Sequence, residues 1–380
     1  MKIGILTFHR VVNHGSLLQA YATCELLKQR YPKADIEIID YSPIKGLIKE
    51  FRSTIITRNF RNLSLSLSRI HKMNNFINNY LPLSPKKLWS NNYNKSVSFI
   101  NRLNYDVIFV GSDVVFEIKN KHGYAPPIPN IYWLSEKINA KKIAFAASSD
   151  KSNVQLNDTQ CEILKKSLNS FSLLGLRDNY TESLITNILG KKDEKIIRIP
   201  DPTFSLEIKK TNIDKKLIKI GVNLKKPILG LHLPNNILSN KISSHFKEKG
   251  YQIISPIFNQ NADFNLGGII NSFEWAEVYK YFDFTITNRF HGTIFCIKNK
   301  VNFLSINDSK AYENQESKKT SLLKECELLD HLVKHKFSDN FDNIISRISE
   351  LNINKINFEN CIKKENLKLD KFLKQVKKIC

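Results

Sequence analysis

Short apolar runs alternate with stretches of helical period along most of this chain, and that alternation sets the first expectation about its fold. Lys2–Phe8 reads as a buried first strand, Ser16–Arg30 as a helix carrying Leu17, Leu18, Tyr21, Leu26 and Leu27, and Ile36–Ile39 as a second strand. A strand–helix–strand order builds a parallel sheet with helices packed on it. Asp106–Val110, Lys142–Ala147, Leu173–Leu176 and Ile196–Ile199 extend the series, with a helix from about Asn179. Pro202 in Asp201-Pro-Thr203 cannot continue a central strand and closes this half.

The polar run Glu207–Lys219 is the expected linker. A second series then begins: strand Pro227–Leu233, helix Ile237–Lys249, strand Tyr251–Pro256, helix Ser272–Tyr281, and strands Phe284–Thr287 and Val301–Ile306. No sequence repeat relates the two series. From Lys318 the pattern is helical, ending in a basic helix over Glu365–Ile379. The expected organisation is an α/β protein of two Rossmann-like domains. Residues 1–210 form the first, with a basic helical insertion at about 45–102; residues 218–340 form the second; residues 341–380 are C-terminal helices.

Length agrees with this division, since 380 residues exceed one ordinary core. Hydrophobic and aromatic contents of 42% and 10% exclude wholesale disorder. Met1-Lys2 leads directly into a strand pattern instead of a signal h-region, and no apolar run approaches the ~18 residues of a membrane span. The six cysteines are scattered without a C-x-x-C pair, the usage expected of a reducing cytosol. No cluster has metal-ligand spacing, so no metal is expected.

The net charge of +22 raises the question of a polyanionic partner. No helix-turn-helix, RNP or zinc-finger pattern is present, and nucleic acid is not expected. The excess is uneven, however. Lys49, Arg52, Arg58, Arg61, Arg69, Lys72, Lys86, Lys87 and Lys95 face a single acid, Glu50, and apolar residues are interleaved among them. Such a stretch either lies on an anionic leaflet or packs its apolar face on its own domain with solvated charges. The pattern favours the second.

The chemistry concentrates where the strand ending at Thr287 meets Asn288-Arg289-Phe290-His291-Gly292 and a short apolar helix. Ligands of open α/β sheets bind beyond the carboxyl ends of strands, and the following helix presents free N–H groups to anions. A guanidinium and an imidazole at that corner can hold a phosphate or carboxylate and move a proton beside it. Gly292 leaves room for close approach of a ligand or of backbone. Gly111-Ser112-Asp113 follows another strand, with a carboxylate and hydroxyl suited either to sugar hydroxyls and a proton or to a helix cap. Asn13-His14-Gly15 at the first βα turn reads equally as cleft lining or as a plain turn. It is not a G-x-G-x-x-G fingerprint, which disfavours nicotinamide binding.

The segment Thr285–Ser305 with its Arg-Phe-His-Gly corner resembles the polysaccharide pyruvyl transferase family. Four further landmarks resemble it in family order: Ile3–His9 with Asn13–Tyr21, Asp106–Asp113, Leu176-Arg177-Asp178, and Asp201-Pro-Thr203. The resemblance implies a glycosyltransferase-B-like architecture whose C-terminal helix crosses back to the first domain. It implies transfer of a carboxyethylidene (pyruvyl) group from phosphoenolpyruvate to hydroxyls of a sugar or lipid-linked oligosaccharide, with no cofactor. His291 and Asp113 are then the expected catalytic residues. Arg289, Arg177, Gly292 and Lys319 are expected at the donor, and Asn13, His14, Gly15 and Ser112 in the acceptor cleft. The chain departs from the pattern at Val114 and Phe116, where the family carries Gln and Trp to grip a sugar.

Two other readings compete. A glycosyltransferase using a nucleotide sugar shares the architecture, but wants a nucleoside-holding carboxylate where Arg-Phe-His-Gly stands. A non-enzymatic protein binding membranes or polyanions suits the charge and leaves the Arg/His corner unexplained. The expected location is cytoplasmic, with a peripheral contact at the inner face of the membrane as the alternative.

Overall fold

The computed structural model describes residues 1–55, 60–118, 124–150, 155–307, 316–333, 341–351 and 357–380. Its chain divides into two compact units: Met1–Ile56, Asn74–Leu206 and Glu365–Cys380 form the first, and Thr57–Met73 with Glu207–Lys364 form the second. The boundary at Leu206/Glu207 falls at the start of the expected linker. That run is not all linker, because α7 (Ile213–Lys219) forms within it and buries Ile213 and Leu217.

In the first unit the strands are β1 (Lys2–Leu6), β2 (Asp35–Ser42), β3 (Leu83–Trp89), β4 (Val107–Asp113), β5 (Lys141–Ala147), β6 (Phe171–Leu176) and β7 (Ile196–Arg198). They lie in the order β3-β2-β1-β4-β5-β6-β7, every pair parallel. β1, β4 and β5 are apolar on both faces because helices cover both, hence their unbroken hydrophobic runs. Helices α1 (His14–Arg30), α4 (Tyr93–Arg102), α5 (Asp158–Asn169) and α6 (Asn179–Leu189) are joined by α2 (Ile44–Ile55) and α3 (Phe60–Tyr80).

The basic stretch therefore differs from a helical insertion in two respects. β3 lies inside it as an edge strand. There Pro85 costs no ladder bond in the sheet interior, and exposed Lys86 and Lys87 suit an open edge. Residues 57–73 of the stretch also group with the second unit. Ser68 Oγ donates to the Gly268 carbonyl at 2.7 Å, and a Cβ on Gly268 would stand 2.9 Å from the Leu65 carbonyl oxygen.

The second sheet comprises β8 (Ile228–His232), β9 (Gln252–Ser255), β10 (Phe264–Asn265), β11 (Phe284–Thr287), β12 (Asn302–Ile306) and β13 (Leu332–Val333). Its order, β10-β9-β8-β11-β12-β13, repeats that of the first sheet despite the absence of a sequence repeat. Its helices are α8 (Ile237–Glu248), α9 (Ser272–Val278), α10 (Phe290–Asn299), α11 (Lys318–Glu325), α12 (Phe341–Glu350) and the start of α13 (Phe358–Ile379).

The C-terminal end of α13 belongs to the first unit. There Leu369, Phe372, Leu373 and Val376 are buried, Phe372 meets the Phe145 ring at 5.9 Å, and Lys141 Nζ donates to the Ile379 carbonyl. Cys326 and Cys361 form a disulfide with Cα atoms 5.0 Å apart. That differs from the cysteine usage expected of a reducing cytosol. The pair is 35 residues apart, and only tertiary packing brings it together.

Candidate functional site

Each sheet reverses its strand order at one place, between β1 and β4 in the first unit and between β8 and β11 in the second. Open parallel sheets bind ligands beyond the carboxyl ends of strands at such switch points. The residues singled out from sequence fall at these two places.

In the second unit β11 ends at Thr287, in register with His232 at the end of β8, and α10 begins three residues later, at Phe290. Helices α1, α4, α5, α6, α8, α9 and α11 each begin under an Asn, Asp or Ser side-chain cap. α10 has Arg289 at that position, no side-chain cap bond and no acid in its first turn. Its positive end is thus left open to an anion. The Arg289 side chain is exposed and makes no hydrogen bond or ion pair among the described residues. Its backbone is fixed, with its N–H on Thr287 Oγ1 at 3.0 Å and its carbonyl accepting from Thr293 Oγ1 at 3.1 Å. His291 is half-buried in the first helical turn, while Phe290 turns into the core.

Two groups that the sequence did not single out complete this corner. His232 is buried, with Nδ1 2.8 Å from the Tyr279 hydroxyl. Burial first, and then the charges of Arg289, Arg69 and His291, hold its pKa well below the ordinary histidine value, so this ring stays neutral. Arg69, from the part of α3 that groups with the second unit, is therefore close enough to act on the same ring. Neither is legible in the sequence, because His232 reads only as a residue of the expected strand Pro227–Leu233 and Arg69 as one cation in a basic run.

Two donor-site expectations change in kind. A Cβ on Gly292 would stand 2.4 Å from Thr287 Oγ1 and 2.8 Å from His232 Nδ1. The glycine therefore lets α10 pack closely on the ends of its own strands. Lys319 is buried and its ammonium donates to the Asn288 and Ile306 carbonyls. It ties together the chain leaving β11 and β12 and positions the corner from behind.

The first unit's switch point is acidic. Arg177, beyond β6, is 2% exposed in its side chain and pairs with the fully buried Asp201 carboxylate at 2.7 Å. Gln19 Oε1 accepts from the same Nη1 at 3.3 Å. Asp113 and Asp178 add their fields to that of Asp201, and together they raise the guanidinium pKa against the opposing effect of burial. Arg177, expected as a second donor-binding guanidinium, is thus placed as a buried counter-charge to three carboxylates.

Asp113 ends β4 with Oδ2 accepting from Ser16 Oγ at 2.8 Å. Ser112 is fully buried, and its hydroxyl finds no partner among the described residues. Asn13 caps α1 by accepting from the Gly15 N–H at 2.9 Å, and His14 and Gly15 are buried in its first turn. Phe116 lies in the core, stacked on Trp133 at 4.5 Å. The departure from the family pattern at that position is thus a core substitution. No group of three or more His, Cys, Asp and Glu side chains is placed to hold a metal among the described residues.

Two parallel α/β units with matching strand orders define the class of two-Rossmann, glycosyltransferase-B-like proteins. Within that class the chain belongs to the polysaccharide pyruvyl transferase family, whose model matches residues 13–310. It is therefore a transferase. Solved structures of similar fold include a UDP-GlcNAc 2-epimerase from Methanocaldococcus jannaschii, at 13% identity and TM-score 0.53 over 97% of this chain and 98% of that one. Another is the UDP-GlcNAc 2-epimerase from Neisseria meningitidis bound to UDP-GlcNAc, at 8% identity and TM-score 0.52 over 98% and 100%. A glycosyltransferase from Rickettsia africae matches at 13% identity and TM-score 0.50 over 100% and 98%. At these identities the likeness concerns the fold alone. No curated protein matches the sequence significantly.

Proposed function

We propose that this protein transfers the pyruvyl group of phosphoenolpyruvate to two hydroxyls of one sugar in a cell-surface polysaccharide precursor, forming a cyclic ketal. The observation that carries the reading is Arg289. Among the described residues it is a guanidinium without a partner, at the uncapped positive end of α10 and two residues from His291. The donor carries a carboxylate and a phosphate, and each favours a planar two-pronged partner. With Arg177 committed to Asp201, Arg69 is the candidate for the second guanidinium.

In the reaction a proton adds to the methylene carbon of the enol, so that C2 becomes electrophilic. One sugar hydroxyl attacks C2 and gives up its proton, and the C2–O bond to phosphate breaks. The second hydroxyl then closes the ring. Acceptor roles for Asn13, His14, Gly15, Ser112 and Asp113 rest on their position at the carboxyl ends of the first sheet's strands. Phosphoenolpyruvate as donor would place the reaction in the cytoplasm.

Arg289→Ala is expected to weaken phosphoenolpyruvate binding by more than about tenfold, the loss of one charge-assisted contact of roughly 1.5–3 kcal/mol. Arg69→Ala should weaken it in the same direction. Calorimetric titration measures both, and unchanged affinity in the two variants sinks the assignment. Titrating a nucleotide sugar instead tests the glycosyltransferase reading directly.

The proposed chemistry neutralises the donor with guanidinium groups and uses no metal ion. Activity should survive exhaustive chelation in full. A complete loss restored by added metal would overturn that part of the mechanism.

A further inference from the structure

Helix α2 sorts its residues onto two faces. Gly46 is turned inward, where a Cβ would stand 2.6 Å from the Tyr124 carbonyl oxygen. Glu50, the helix's only acid, accepts from the Val12 N–H at 2.7 Å. The opposite face presents Ile44, Ile48 and Phe51, which are 43%, 46% and 59% exposed. Lys45, Lys49 and Arg52, all exposed, run beside them with the same spacing. Residues at i, i+4 and i+7 share one side of a helix, so the apolar and basic rows lie next to each other. Lys45, Ile48, Lys49, Arg52 and Ser53 line an open depression of about 660 Å³.

A second element continues this surface. Trp89, 50% exposed, ends the edge strand β3 in register with Ser42, two residues before α2 begins. Lys87 Nζ lies 5.2 Å from its ring centroid, and Lys86 and Lys87 are exposed. Isolated apolar residues on a surface need no explanation. Here three occupy one helix face, a tryptophan stands by the start of that helix, and cations border all four. This distribution matches an interfacial helix, whose apolar row enters the headgroup boundary while Lys and Arg meet lipid phosphates.

We propose that the outward face of α2, together with Trp89, docks on the surface of an anionic phospholipid bilayer. Charge complementarity selects this occupant, because the only acid of α2 is turned away into its bond with Val12. The contact is peripheral: no helix among the described residues is long and apolar enough to cross a membrane. The proposal stands independently of the reaction catalysed.

Vesicle flotation of the full chain tests it, comparing pure phosphatidylcholine with mixtures containing phosphatidylglycerol. Binding is expected to the anionic vesicles only. Trp133 and Trp275 are buried, so a blue shift of tryptophan emission on binding would report Trp89 and should vanish in Trp89→Phe. Lys45→Gln/Lys49→Gln/Arg52→Gln should lower partitioning by about a hundredfold at low salt, roughly fivefold per cation. Ile48→Ser/Phe51→Ser should lower it by more than about tenfold. Thermal melting confirms that each variant is folded, and all the replaced side chains point outward. No binding to anionic vesicles overturns the proposal, as does equal binding to neutral ones. Undiminished binding by the Ser variant, fully competed by heparin, would mark a generic polyanion contact and overturn it too.

Discussion

His291→Gln and His291→Ala are expected to lower turnover by roughly 10²–10⁴-fold while donor affinity is largely kept. Ketal formation needs a proton delivered to the donor's methylene carbon and protons removed from two hydroxyls. Imidazole is the side chain that titrates nearest neutrality, which suits it to both halves. The second unit offers two histidines at the corner, and their surroundings separate them. His232 is buried against Tyr279 and held neutral by burial and by three cationic or ionisable neighbours, so it is a poor proton donor. His291 is half-buried in the open first turn of α10 beside Arg289, where a bound anion can reach it. Steady-state kinetics with separate measurement of donor affinity decide the matter. Normal turnover removes His291 from the mechanism, and a defect confined to donor binding makes it a ligand only.

The strand-to-helix corner was readable because its ingredients are local: an apolar strand over Phe284–Thr287, a polar break, and an apolar helix after it. The same holds for β1, β4 and β6, whose burial on both faces leaves nearly unbroken apolar runs. β3 was not readable, since an edge strand carrying Pro85, Lys86 and Lys87 lacks that pattern. β10 and β13, of two residues each, are too short to show any period. The remaining differences all concern partners distant in sequence. Gly292 looked like an opening until His232, from another strand, was placed against it. Lys319 reads as a cation for the donor, and only the fold shows its ammonium donating to the carbonyls of Asn288 and Ile306. A charge at a strand end looks alike whether it awaits a ligand or neutralises a neighbour, and only the fold supplies the neighbour.

Arg177 is the sharpest case of that ambiguity, and Arg177→Ala is expected to destabilise the protein by about 3–5 kcal/mol. The guanidinium is 2% exposed and the Asp201 side chain fully buried, so removing the cation strands a carboxylate in a site of low polarity. Asp113 and Asp178 also act on the same guanidinium, and its loss leaves three acids without their shared counter-charge. Arg177→Lys should fall between wild type and alanine. It keeps the charge but not the shape of the side chain that places Nη1 within reach of both Asp201 and Gln19. Arg177→Met combined with Asp201→Leu should recover a large part of the loss, because it removes both buried charges together. Denaturant unfolding of the four proteins, read alongside phosphoenolpyruvate titration, separates the two roles. A marginal stability change in Arg177→Ala with a tenfold weaker donor would show the guanidinium to be a ligand after all. A large stability loss that the double variant relieves, with donor affinity retained by Arg177→Lys, would fix it as the counter-charge that holds the first unit's strand ends together.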